Sequence, residues 1–349
     1  MEIPRYRALA LQFRCDAVNN DNPAEARARM ARSLERLDES IKLTAGFLKT
    51  FSGLAVRLVV VPEYFLTGFP LGESSDEWIA KAILEPNGAE YDKLGAIAER
   101  HSVYLSGNAY EADENFPGLY FQTSFIISPA GEVVLRYRRL ISLHTPTPYD
   151  VLDRYVDLYG AESLFPVADT EIGRVACIAS EEILYPEIAR CLAMRGAEVF
   201  CHSSSKSAST GLTPKDIGKR ARASENMAYV VSANTAGIRG TGLPESGTDG
   251  MSKIVGPDGH VLDDTGFGES SVSANLDICG LREMRQQPAM MNLLARQPFQ
   301  LYHESYRDHV HLPANTLSEI PAGSSAREVA RRRLAETVAR LREEGLLLR

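Results

Sequence analysis

Apolar residues follow two rhythms along this chain. Tyr6–Phe13 (YRALALQF) and Val56–Val61 (VRLVVV) are short runs dense in aliphatic and β-branched side chains, which predicts strands. The second is apolar at nearly every position, as expected of a strand covered on both faces. Between them Ala26, Met30, Leu34, Leu37 and Ile41 recur at three- and four-residue steps, a single stripe along one long helix. Asn20-Asp21-Asn22-Pro23 supplies cap residues and a proline suited to its first turn. The same reading gives a helix over Lys93–His101, a strand over Val103–Gly107, and a hairpin of Phe121–Ser128 and Glu132–Tyr137 about Pro129-Ala130-Gly131. Farther on, Val175–Ala179 is a buried strand, Pro186–Arg195 a helix ended by Gly196, and Ala197–Cys201 a strand. Lys215–Met227 reads as a helix and Tyr229–Ala233 as a strand. Met251–Gly256 and His260–Leu262 make a second hairpin about Pro257-Asp258-Gly259.

Strands alternating with helices, with hairpins added, predict an α/β protein with mixed sheets. The segment Leu312–Ser325 is rich in Pro, Ser, Ala and Gly and reads as a linker. Ser325 and Glu328 then fit a capping box, and Val329, Leu334, Val338 and Leu341 give a last helix an apolar edge. The expected organisation is a body over residues 1–311 and a tail over 312–349 that docks on its own body or on a sister subunit.

Composition narrows the function classes. The 349 residues are 44% apolar with a formal net charge of −8, which supports a sizeable core and argues against a nucleic-acid surface. The five cysteines (Cys15, Cys177, Cys191, Cys201, Cys279) form no CxxC pair, so neither a disulfide framework nor a zinc site is expected. A reduced, cytoplasmic setting is the simplest reading. The opening MEIPRYRALALQF lacks the long apolar stretch and cleavage site of a signal peptide. No apolar run reaches the roughly 18 residues of a membrane span. His303, His309 and His311 lie among Tyr and Arg residues without matching carboxylates, and no metal or organic cofactor is implied. Ser203–Lys206 (SSSK) matches an S-x-x-K pattern but lacks the helical context that motif needs.

Four stretches carry more specific chemistry. Val59–Pro70 (VVVPEYFLTGFP) runs a buried strand into Glu63 and Tyr64, and a carboxylate at the carboxyl end of a parallel strand sits where α/β sheets place ligands. Partial desolvation there favours its use as a base. The others are Gly131–Leu140 (GEVVLRYRRL), Ile172–Val199 (IGRVACIASEEILYPEIARCLAMRGAEV) and Arg220–Gly237 (RARASENMAYVVSANTAG). In this order and spacing they resemble the nitrilase, or carbon–nitrogen hydrolase, superfamily over about residues 5 to 280.

The resemblance implies a four-layer αββα sandwich that commonly pairs as an αββααββα homodimer. It implies a site acting on a small non-peptide amide or nitrile through a glutamate base, an oxyanion-binding lysine and a nucleophilic cysteine. Glu63 fits the base. The register set by Pro186-Glu187 and Arg195–Glu198 puts Ser180, not Cys177, at the nucleophile, with Glu182 buttressing the elbow and the Glu181 N–H aiding the oxyanion. Tyr137-Arg138 puts Arg139 at the lysine, a planar cation that is not its equivalent. A second glutamate common among relatives is missing from Leu140–Asp150, where Asp150 is the nearest carboxylate.

A serine hydroxyl is a far weaker acid than a thiol of pKa about 8.5, so a bare Glu63–Ser180 pair is expected to be slow. Three explanations stay open: a cysteine replaced to trap a ligand, a natural ligand-binding or scaffold protein without turnover, and a working serine with rebuilt partners. For the last, His202 is a conceivable base in a Ser180–His202–Glu63 set, with His144 and Tyr64 as further pocket residues; a plain wall residue is the competing reading of His202.

Overall fold

The computed structural model describes residues 3–307, 309–319 and 326–347. The first half runs β1 (Tyr6–Gln12), β2 (Cys15–Asp16), α1 (Pro23–Ser52), β3 (Val56–Val60), α2 (Ser75–Ala82), α3 (Ala89–His101), β4 (Tyr104–Ala112), β5 (Tyr120–Ile127), β6 (Val133–Arg138) and α4 (Leu152–Tyr159). The second runs β7 (Ala168–Thr170), β8 (Gly173–Ala179), α5 (Pro186–Met194), β9 (Val199–Ser204), α6 (Pro214–Asn226), β10 (Tyr229–Asn234), β11 (Ile238–Arg239), β12 (Lys253–Val255), β13 (Val261–Asp264) and β14 (Ser270–Leu276). Three helices follow: α7 (Ile278–Gln286), α8 (Phe299–Arg307) and α9 (Ala326–Glu343).

Two six-stranded sheets form, ordered β14-β1-β3-β4-β5-β6 and β13-β12-β10-β9-β8-β7. Each has a parallel centre, β1/β3/β4 in one and β8/β9/β10 in the other, with antiparallel strands on both flanks. The period-2 pleat sorts the side chains. Leu9, Leu11, Val59 and Val61 point to the stripe Ala26, Met30, Leu34, Leu37 and Ile41 on α1. Ala8, Ala10, Leu58 and Val60 belong to the other core, which also takes in β8, β9 and β10. Stacking helix, sheet, sheet and helix buries both faces of each sheet, and the fold is an αββα sandwich of the carbon–nitrogen hydrolase type.

Local chemistry explains the boundaries. Asn22 accepts from the Glu25 N–H while Glu25 accepts from the Asn22 N–H, a reciprocal cap that starts α1, and Gly53 at φ 73° ends it. Strands β4 and β9 run well past their expected ends, to Ala112 and Ser204, because neighbouring strands supply the ladder. The extension places His202 and Ser203 inside the sheet. Helices α2, α4, α7 and α8 were not anticipated from the pattern. In the tail, Val329 is buried, Arg333 pairs with Asp150 at 3.3 Å, and Arg340 donates to the His311 carbonyl at 2.6 Å. The capping serine expected at Ser325 lies outside the described residues. No described helix is long and apolar enough to cross a membrane.

Candidate active site

Strand β8 ends at Ala179, and the next residue turns sharply. Ser180 has φ 46°, a left-handed backbone that costs an L-residue about 1–2 kcal/mol. It opens a 3₁₀ turn, Ser180–Leu184. The turn is pinned from below by Glu182, whose buried carboxylate accepts from the N–H groups of Leu140 (2.7 Å), Ile141 (3.0 Å) and Ala179 (3.3 Å) and from the Tyr137 hydroxyl (2.7 Å). Burial raises the Glu182 pKa to about 6, against the pull of Arg139 and these donors. Sequence register placed Glu182 beneath the elbow, and these contacts are what hold it there.

His202 lies behind the same turn. Its Nε2 is 2.8 Å from the Ser180 carbonyl oxygen and its Nδ1 2.8 Å from Ser232 Oγ. Burial lowers its pKa well below the usual value, with Lys219 adding to the effect. A neutral ring facing a carbonyl must carry its proton on Nε2, so Nδ1 accepts from Ser232. The conceivable Ser180–His202–Glu63 set is therefore not what forms: His202 addresses the backbone of Ser180, not its hydroxyl. It shapes the elbow from a fully buried position.

Glu63 follows β3 by three residues and is 1% exposed. Its Oε1 accepts from Gln122 Nε2 at 2.7 Å and from Arg139 Nη1 at 3.2 Å, and its Oε2 is buried. Arg139, 4% exposed, also donates from Nη1 to Gln122 Oε1 (2.7 Å) and from Nε to the Ile141 carbonyl (2.7 Å), and its Nη2 pairs with the Glu181 carboxylate. Burial opposes the guanidinium charge, but Glu63 and Glu181 outweigh it and raise the pKa. Arg139 thus clamps two carboxylates. Gln122, on β5, was missed in the sequence because a strand glutamine carries no motif.

The larger omission is Lys215. It stands in the first turn of α6, and its Nζ donates to Ser180 Oγ at 2.8 Å and to the Ser205 carbonyl at 2.8 Å. Burial lowers its pKa. A readable signal existed: Thr213, Pro214 and Asp216 form a helix start, and an ammonium in the first turn opposes the helix dipole.

The remaining residues fall into place around this cluster. Tyr64, at φ 65°, packs against Phe69 in a tilted arrangement with ring centres 5.0 Å apart, and burial and the adjacent Glu63 raise its pKa. His144 is partly buried in the loop after β6, its N–H bonded to Ser142 Oγ at 3.1 Å. Cys177 sits between the sheets, its Sγ 3.8 Å from Ser106 Oγ, with burial raising its pKa well above the usual value. Asp150 bonds Thr147 and the tail residue Arg333. Ser203 Oγ donates to the Val61 carbonyl and Lys206 pairs with Asp216, so the S-x-x-K residues are structural here. Beside the elbow, an apolar hollow of about 450 Å³ is lined by Leu140, Ile141, Tyr185, Leu312 and Leu334. A separate cleft of about 890 Å³ at the far end holds Arg57 and Arg282, paired with Glu171 and Glu198.

Known proteins resemble this chain in sequence or in fold. Omega-amidase NIT2-B of Xenopus laevis is 23% identical over 283 residues, 81% of this chain and 92% of the relative. Omega-amidase NIT2 of Homo sapiens is 24% identical over 282 residues, again 81% and 92%. The crystal structure of Saccharomyces cerevisiae Nit3, a member of branch 10 of the nitrilase superfamily, superposes with a TM-score of 0.61 at 20% identity, covering 82% of this chain and 95% of that one. An amidase from Nesterenkonia sp. gives 0.60 at 18% identity, covering 87% and 98%. The sequence profile of the Carbon-nitrogen hydrolase family matches residues 26–286, and the chain belongs to that family.

Proposed function

We propose that this protein hydrolyses a small non-peptide amide or nitrile, with Ser180 as the nucleophile. The observation that carries this reading is the backbone of Ser180: a left-handed residue directly after β8 and next to Glu181, whose carboxylate pairs with the Arg139 that also holds Glu63. Such strain persists where it presents a reactive side chain. For an amide, Ser180 Oγ attacks the carbonyl carbon, the nitrogen leaves as ammonia or an amine, and water cleaves the resulting ester. The Glu181 N–H, at the start of the 3₁₀ turn where amides lack helical acceptors, supports the oxyanion. Glu63 is the carboxylate base of the site, held in place by Arg139 and Gln122. The omega-amidase relatives put amides first in a substrate panel.

The alternative is a ligand-binding or scaffold protein without turnover. The engagement of Arg139 by Glu63, Gln122, Ile141 and Glu181 favours it, since those donors already have protein acceptors. Ammonia release from amides, nitriles and carbamoyl compounds separates the readings. Hydrolysis predicts release by the parent protein that drops to background in Ser180→Ala. Release only in Ser180→Cys points to a removed cysteine, and silence in both points to the binding role.

A further inference from the structure

We propose that Lys215 takes the proton of Ser180, so that the two side chains act as a serine–lysine dyad. This rests on the hydrolase reading for its substrate, but not for its chemistry. Lys215 Nζ is 2.8 Å from Ser180 Oγ, and among the described residues it is the side chain that bonds this hydroxyl. Glu63 Oε1 is taken by Gln122 and Arg139.

The surroundings suit a neutral amine. One N–H of Lys215 goes to the Ser205 carbonyl, which leaves the nitrogen lone pair free to face Ser180 Oγ when the proton is lost. The residue sits second in α6, where the positive end of the helix opposes an ammonium. Behind it, Lys253, Lys206 and Lys219 gather on one carboxylate, Asp216, at 3.0, 3.5 and 3.7 Å. Three buried lysine side chains thus share one carboxylate. Lys219 shows the consequence: burial, opposed by Asp216 and reinforced by Lys253, Lys206 and Lys215, lowers its pKa to about 7. Around Lys215 itself, Glu63 from the segment after β3 and Glu181 from the elbow favour the charged form. Arg139 after β6 and Lys206 after β9 oppose it, and burial, the largest effect, sets the net direction, a pKa below the ordinary lysine value. Desolvated lysines beside other cations serve as bases for this reason.

The step balances. Neutral Lys215 accepts the Ser180 proton as Oγ bonds to the carbonyl carbon and the π electrons move to oxygen. The new ammonium lies beside that oxyanion and then gives its proton to the departing nitrogen. The C–N bond breaks, ammonia leaves, and the ester remains on Ser180. Glu63 is left to deprotonate the water that cleaves it.

The experiment uses the full chain and two readouts, amide turnover and labelling of Ser180 by a fluorophosphonate followed by intact-protein mass spectrometry. Both are expected to rise with pH as Lys215 loses its proton, with a midpoint below 10.5, the ordinary lysine value. Lys215→Ala and Lys215→Arg are expected to lose about a hundredfold or more in each, the usual range for a positioned base. Added methylamine should restore Lys215→Ala in proportion to its free-base fraction, which also shows that the variant is folded. Labelling that survives in Lys215→Arg, or an alanine variant that amines do not restore, overturns the dyad. If Ser180 labels in a Lys215-dependent way but no C–N compound is turned over, the dyad stands and the substrate reading falls. If amides are cleaved through Ser180 while Lys215→Arg keeps full rate, the hydrolase stands and the dyad falls.

Discussion

At position 180 the backbone and the side chain make opposing demands. The left-handed φ of 46° suits glycine, yet the hydroxyl requires a Cβ. Comparing Ser180→Gly with Ser180→Ala isolates the backbone, because both lose the bond to Lys215. Relief of about 1–2 kcal/mol of strain, less the extra freedom glycine has when unfolded, should leave Ser180→Gly more stable by about 0.5–1 kcal/mol. Urea unfolding at neutral pH measures the difference, and equal midpoints would mean that the turn stores no strain. Both variants should be inactive, as expected where stability is given up for function. Residues of this kind were legible in the sequence because Glu63, Ser180 and Glu182 each sit at a strand end flanked by recognisable neighbours. Gln122 and the tautomer of His202 were not, since both depend on which strand lies alongside: β5 on β4, and β9 between β8 and β10.

Helix α6 decides where Lys215 stands, and one glycine decides where α6 stands. A Cβ at Gly218 would lie 2.8 Å from the Ile183 carbonyl oxygen in the elbow, and Arg222 Nε donates to that same oxygen at 3.1 Å. The helix is therefore seated on the nucleophile turn. Gly218→Ala should push it outward, costing about 1–3 kcal/mol for overpacking against backbone. Because Lys215 is one turn away, Ser180 labelling and turnover should fall by at least about tenfold while the protein stays folded, a loss of the size a sub-ångström misplacement produces. Thermal unfolding and labelling on one preparation test this, and destabilisation with full labelling would separate the helix seat from the chemistry. Helix α6 itself was read from the sequence as Lys215–Met227, off by one at either end. Its contact with the elbow was not, because a helical glycine reads as a weakness in a single sequence until the opposing carbonyl is seen.

The family resemblance extends to about residue 280, and the family profile ends at 286, so α8 lies beyond both. Its sequence FQLYHESYR shows no clean apolar stripe, and no residue of it is buried within this chain. It is nonetheless placed: Tyr306 Oη bonds Glu187 on α5 at 2.7 Å. Leu301 (69% exposed) and Tyr302 on α8, Met194 at the end of α5, and Met290 and Met291 in the connecting segment leave large apolar side chains in water. Apolar side chains exposed in this number suit contact with a second copy, the pairing that the family resemblance implies. We therefore expect sedimentation at micromolar concentration to give twice the chain mass. Leu301→Asp combined with Met291→Asp should shift the protein toward one chain, since an isologous contact places each new carboxylate in the interface twice. Sedimentation of the parent as a single chain at tens of micromolar would remove the dimer. It would leave the exposed side chains of α5 and α8 to be covered by another partner.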